Sequence, residues 1–186
     1  MDRSYFERLY GQSPDPWGFD TLWYERRKYA LTVATLPLER YRRAVEPGCA
    51  NGALTELLAP RCDELIAYDM IDEAVLRATE RLHALSHVEV RRERFPQWWP
   101  SGTGDLVVWS EIAYYLDEQD GERALTGLDR FLEPGGHLAA VHYTGTTNYP
   151  RRGVDIAPWL DGVGFLQRLV THRDATFELG VWERER

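Results

Sequence analysis

Cysteine is almost missing from this chain: 186 residues include only Cys49 and Cys62. Two cysteines cannot build a disulfide framework, and there is no C-x-x-C pair. Neither has a Cys/His set nearby with zinc spacing, so no metal site is expected. No apolar run approaches the ~18 residues needed to cross a bilayer. The opening Met1-Asp2-Arg3-Ser4-Tyr5 lacks the basic stretch and apolar core of a signal peptide. Basic charge is also short: 22 Lys and Arg face 30 Asp and Glu, for a net charge of −8. That balance argues against a phosphate backbone as partner. The run Arg91-Arg92-Glu93-Arg94 is short and mixed in sign, and reads as a solvated strand end. There is no internal repeat and no low-complexity stretch. These absences leave a cytoplasmic protein with neither membrane nor nucleic acid as partner, and the length suits one domain.

Aromatic residues are plentiful, with 7 Trp and 10 Tyr. Several gather near the start: Tyr5, Phe6, Tyr10, Trp17, Phe19, Trp23 and Tyr24. Such side chains combine apolar area with a polar handle. They read as a lid packed on the core, or as a pocket wall for a flat or sugar-like ligand.

Residues 1–20 look turn-rich, with Ser13-Pro14-Asp15-Pro16 as a helix breaker. Asp20 is a candidate cap for a helix whose Leu22, Tyr29, Val33 and Leu36 share a face and which ends before Pro37. Strands and helices then alternate. Ala44-Val45-Glu46 is a strand, and 53–59 a helix with Leu54, Leu57 and Leu58 inward. A second strand spans 64–69, a helix 71–85, and a third strand 88–90. Residues 105–109 are continuously apolar after Asp105, as in a strand buried on both faces. A helix spans 118–132, and the turn Pro134-Gly135-Gly136 leads into a fifth strand, 137–143. Two more strands, 167–170 and 176–183, are joined across 171–175 as a hairpin. The expected fold is α/β: a doubly wound, Rossmann-like, seven-stranded, mostly parallel sheet with an antiparallel last strand and an N-terminal helical lid. Residues 1–40 would form the lid and helix, 41–143 the core, and 144–186 a substrate-side loop and closing hairpin. Such sheets bind ligands beyond the carboxyl ends of their strands, where strand order reverses.

The first strand opens into Glu46-Pro47-Gly48-Cys49-Ala50-Asn51-Gly52 and then a helix. Glycines permit close backbone approach, and a helix N-terminus offers free N–H groups. A dinucleotide fingerprint G-x-G-x-x-G would need glycine at 50 and 53, where Ala50 and Ala53 stand. Glu46 could meet the ammonium of an amino acid, which NAD does not offer. Asp69 ends the second strand, 17 residues beyond Gly52, where an acid can accept both hydroxyls of a ribose or cap the helix that follows.

At these residues the chain resembles the class I methyltransferases that use S-adenosylmethionine (SAM). Their first motif, E/D-x-G-x-x-x-G, is matched by Glu46, Gly48 and Gly52, and their acid after strand two by Asp69. Residues 104–111 resemble their fourth-strand motif, and Leu132-Glu133-Pro134-Gly135-Gly136 their turn before strand five. A narrower resemblance is to the nodulation protein S branch, N-methyltransferases of chitooligosaccharide amines. It rests on Tyr5-Phe6-Glu7 with Tyr10, Pro14-Asp15-Pro16-Trp17, Tyr24-Glu25 with Lys28-Tyr29, and Ser110 to Leu116.

The resemblance implies SAM as cofactor and a small polar acceptor, methylated at nitrogen or oxygen. Glu46, Gly48, Cys49 and Gly52 would hold the methionine end. Asp69 and Met70 would hold ribose and one side of adenine, flanked by Arg94 and Phe95. Ser110 and Glu111 would lie near the sulfonium, although Glu111 could instead cap the helix near 118. Trp17, Tyr24 and Lys28 would close the site, Lys28 neutralising the carboxylate of SAM. Tyr114, Tyr115, His142 and Tyr143 are the substrate-side candidates. His142 would serve as a base for a hydroxyl acceptor, since its unperturbed pKa suits that task, with Tyr115 beside it in catalysis. Two other readings stay open: an NAD(P)-dependent oxidoreductase, and a SAM-binding regulator or inactive partner subunit. The residues do not indicate an oligomeric state.

Overall fold

The computed structural model describes residues 3–13 and 15–185. Pro14, part of the expected breaker, and Met1 and Asp2 of the opening lie outside them. The chain runs α1 (Arg3–Gln12), α2 (Trp23–Ala34), β1 (Tyr41–Pro47), α3 (Ala53–Leu58), β2 (Cys62–Asp69), α4 (Asp72–Leu82) and β3 (Val88–Arg92). It continues with β4 (Gly104–Ser110), α5 (Glu118–Phe131), β5 (Leu132–Tyr143), α6 (Ile156–Asp161), β6 (Leu166–Arg173) and β7 (Phe177–Arg184). The seven strands form one sheet in the order β3-β2-β1-β4-β5-β7-β6. Strands β1 to β5 pair in parallel, and β7 runs antiparallel to both its neighbours. This is the expected Rossmann-like sheet. The chain winds outward from β1 to β3, then crosses back to β4, so the order reverses between β1 and β4.

The core lies on both faces of the sheet, as the apolar runs require. One layer packs Trp109, Leu128, Phe131, Leu160 and Trp182 beneath α5 and α6. The other packs Tyr29, Leu54, Leu58, Leu65 and Val108 beneath α2 and α3. Helix α5 begins where Asp117 Oδ1 accepts from the Asp120 backbone N–H at 2.8 Å. Asp117 therefore does the capping considered above for Glu111.

Several local expectations change. Residues 3–12 form a helix with no buried side chain. It meets the rest of the protein through ring edges, Phe6 on Tyr115 and Tyr5 on Tyr149. Helix α2 is preceded by Leu22, with no side-chain cap. Asp20 instead accepts from Asn51 Nδ2 at 2.9 Å and pairs with Arg81 at 2.6 Å. Leu22 and Leu57, expected inward, are exposed. Helix α6 replaces part of the expected loop, and β6 extends to Arg173, so the hairpin turn is shorter than 171–175.

Gly104 is required by packing. A Cβ there would lie 2.6 Å from the Arg43 carbonyl oxygen of β1 and would also clash with the Phe131 ring. Gly164 faces open space. Gly104→Ala is therefore expected to lower unfolding free energy by about 1–3 kcal/mol, while Gly164→Ala stays within about 0.5 kcal/mol. Denaturant melts of the two variants make the comparison.

An acid-lined cavity at the strand ends

A cavity of about 310 Å³ opens at the carboxyl ends of β1, β2 and β4, where strand order reverses. That volume suits a small molecule. Phe6 and Tyr10 of α1 cover it, together with Trp17 and Phe19. The cover is held ring to ring: Phe6 meets Tyr115 edge-on at 5.0 Å, and Trp17 stacks on Phe19 at 5.5 Å.

The loop after β1 is tied down from below. Backbone N–H groups of Gly48 and Cys49 both donate to the Tyr68 carbonyl, at 2.7 and 3.1 Å. Gly48 sits at φ +70°, where an added Cβ would clash with Ile112. Ala50, standing where a glycine is often seen, nevertheless adopts φ +49°. Asp69 holds it there: Oδ2 accepts from the Ala50 N–H at 3.1 Å and Oδ1 from the Ile71 N–H at 3.0 Å. One carboxylate thus latches the loop and closes a tight turn ahead of α4, and its side chain still lines the cavity. Burial pushes its pKa up against the pull of those backbone donors.

Glu46, at the end of β1, is 2% exposed and lines the cavity. Thr55 Oγ1 donates to its Oε2 at 2.6 Å. Among the described residues it has no ion pair, and burial pushes its pKa up to about 8, with Thr55 opposing and Asp69 adding to the rise.

Glu111, after β4, is a non-glycine residue at φ +54°. Such a backbone is held only where surrounding contacts over-determine it. Its Oε1 accepts from Tyr24 Oη at 3.0 Å and from Lys28 Nζ at 2.7 Å, and Oε2 accepts from the Tyr143 N–H at 2.9 Å. Burial opposes its ionisation, but Lys28 and His142 outweigh it, so the pKa is lowered. Glu111 is therefore a carboxylate.

Most of the expected site residues come together here. Trp17, Tyr24, Glu46, Gly48, Cys49 and Asp69 line the cavity, as do Met70, Arg94, Phe95, Ser110 and Glu111. Tyr114, Tyr115 and Tyr143 join them. Three expected residues do not. Lys28 is fully buried and spent on Glu111 and Glu25, so it cannot neutralise a ligand's carboxylate. Gly52, at φ +78°, packs α3 against Ala78 and Leu82 of α4. His142 is also buried, outside the cavity lining. Its Nε2 accepts from the Ala113 N–H at 3.0 Å, and burial lowers its pKa to about 4. A ring nitrogen already holding a backbone donor cannot act as the base.

Phe6 and Tyr10, read from the sequence as lid or pocket wall, do line the cavity, and their i, i+4 spacing places them on one helix face. Sequence reasoning gave no site role to Glu25, which sits in the Tyr24-Glu25 motif, or to Asp120 and Tyr149, which carry no motif. With them the lining holds six carboxylates, Glu25, Glu46, Asp69, Glu93, Glu111 and Asp120, against one cation, Arg94. Among the described residues no three His, Cys, Asp or Glu side chains converge as metal ligands.

The fold and cavity define a doubly wound α/β domain that takes a small ligand at its switch point. The sequence profile of the family described as Nodulation protein S (NodS) matches residues 7–140, and the chain belongs to that family. It is 36% identical over 126 residues to a nodulation protein S of Rhizobium tropici, covering 67% of this chain and 53% of that protein. The matched region thus spans about half the length of that relative. Among solved structures, a candidate methyltransferase from Pseudomonas syringae is 42% identical, with TM-score 0.78, covering 88% of this chain and all of that one. The N-methyltransferase NodS from Bradyrhizobium japonicum WM9, solved with S-adenosylhomocysteine (SAH), is 25% identical, with TM-score 0.86 and 98% of each chain covered.

The Glu46 arrangement has a pH consequence. A carboxyl raised from 4.5 to about 8 in the folded protein keeps a proton that the unfolded chain has given up. The Glu46 contribution to the stability of the ligand-free protein is therefore expected to fall as pH rises from 4.5 to about 8, most plainly above 6.5, where the opposing gain from buried His142 is complete. Thermal melts across that range should show the loss, and Glu46→Gln should flatten it.

Proposed function

We propose that this chain transfers a methyl group from SAM to a nitrogen of a small polar acceptor such as an amino sugar. The observation that carries the reading is the acid-lined cavity, six carboxylates to one guanidinium, at the switch point. SAM carries a positive sulfonium and an ammonium, and an amine acceptor favours an acidic wall as well. The NodS relationship and the SAH-bound relative support it. An NAD(P) oxidoreductase fits less well, because two negative phosphates would face these acids and the loop lacks two of the three fingerprint glycines.

In this reading the core, 41–143, holds the donor, and 1–40 with 144–186 shape the acceptor side. Glu46 faces the donor's ammonium, with the Gly48 to Ala50 backbone beside it. Asp69 accepts the ribose hydroxyls on the lone pairs its backbone donors leave free. Met70, Arg94 and Phe95 flank the adenine. The bound donor supplies an electrophilic methyl carbon on a cationic sulfur. The protein's task is then alignment and exclusion of water. Tyr114, Tyr115 and Tyr143 form the acceptor wall, and no residue base is needed for a neutral amine. The same reading places the protein in the cytoplasm with a small-molecule acceptor and no nucleic-acid partner. The two buried free thiols suit a reducing compartment.

SAM is expected to raise the melting temperature and to be turned over with amino sugars or simple amines. No binding by calorimetry at millimolar SAM contradicts the proposal. Asp69→Ala should weaken SAM binding about tenfold or more, one or two charged hydrogen bonds' worth, in protein whose ligand-free melt shows it is folded.

A further inference from the structure

Building on that methyl-transfer reading, we infer that the Tyr24 phenol is a one-way hydrogen-bond acceptor that selects amines still carrying an N–H, so that methylation stops at the tertiary amine. A phenol has one proton. Tyr24 donates its proton to Glu111, since Glu111 is ionised and can only accept. What Tyr24 can offer a cavity ligand is therefore its lone pairs alone.

Glu111 cannot release that proton easily. Its Oε1 also holds Lys28 Nζ, and its Oε2 holds the Tyr143 N–H. Lys28 is fully buried and carries a second bond to Glu25. The Tyr24 ring is fixed too. Lys28 Nζ sits 4.6 Å from its centroid, and Tyr143 and Phe177 meet it edge-on at 6.4 and 5.9 Å. A carboxylate on a residue in the left-handed region, held by three donors from α2 and β5, thus sets the direction of a single phenol.

The position suits the task. β4 lies between β1, whose loop faces the donor, and β5, which ends at Tyr143. Glu111 follows β4, so Tyr24 lies where donor and acceptor meet. A neutral amine giving one N–H to the Tyr24 oxygen has its lone pair free to turn toward the methyl carbon. The nitrogen pair forms the new N–C bond, the C–S bond breaks with its electrons left on sulfur, and SAH is the leaving group. The alkylammonium then loses a proton to solvent. A primary amine retains an N–H after one transfer and a secondary amine can still be held. A tertiary amine has none to give.

The test uses glucosamine and its N-methyl and N,N-dimethyl derivatives. Binding to the SAH-loaded protein is read by calorimetry, and turnover with SAM by mass spectrometry. The wild type should bind the first two about tenfold more tightly than the third, and no trimethylammonium product should appear. Tyr24→Phe keeps the ring and should erase that preference, in protein whose ligand-free melt shows it is folded. Glu111→Gln keeps an acceptor for Tyr24 but adds an amide donor, and should narrow the preference. A trimethylammonium product, or a preference unchanged in Tyr24→Phe, overturns this inference and leaves the methyltransferase reading standing. No binding of any of the three overturns the inference, and with it the amino-sugar acceptor, while SAM binding stands on its own titration.

Discussion

Buried acidic side chains at the ends of three adjacent strands are the constraint on which this site depends. Glu46 ends β1, Asp69 ends β2 and Glu111 follows β4. Each is taken out of water, and each meets that cost differently. Asp69 is held by two backbone N–H groups. Glu111 is held by a buried lysine, a phenol and a backbone N–H. Glu46 has a threonine hydroxyl and, among the described residues, no cation. Of the three, Glu46 is the one with neither a cation nor a backbone N–H among the described residues. The sheet brings these acids together because parallel neighbours end at the same level, and the reversal between β1 and β4 opens the space between them.

The same acids build the backbone around the ligand. Asp69 holds Ala50 in a left-handed conformation usually left to glycine. Gly48 shares that left-handed backbone at φ +70° without such a latch, and Ile112 lies over the space a side chain would take. The loop is thus shaped partly by residue type and partly by a hydrogen bond from the next strand.

Much of this could be read from the residues. The alternation of apolar runs and helical spacing showed the sheet, because both periods follow directly from backbone geometry. Glu46, Gly48 and Asp69 stood at strand ends, where topology alone makes them neighbours. Lys28 and His142 were misassigned for one shared reason: their roles depend on which buried partner claims them. Lys28 reaches Glu111, 83 positions away, and His142 accepts from Ala113, 29 positions earlier. No local pattern encodes that choice. Helix α1 was missed because its stripe, Phe6, Leu9 and Tyr10, is short and only half-buried, and Pro14 and Pro16 follow closely. Tyr149 and Glu25 enter the cavity only through tertiary folding and have no spacing signature.

The central claim is that a cationic donor completes a buried acid at Glu46, and proton-linked calorimetry tests it most directly. SAM would be titrated at pH 7 in buffers of different ionisation enthalpy. Because Glu46 holds its proton up to about pH 8 in the free protein, binding should release close to one proton, and Glu46→Gln should release almost none. Binding with no proton release in the wild type, or the same release in Glu46→Gln, would contradict the account.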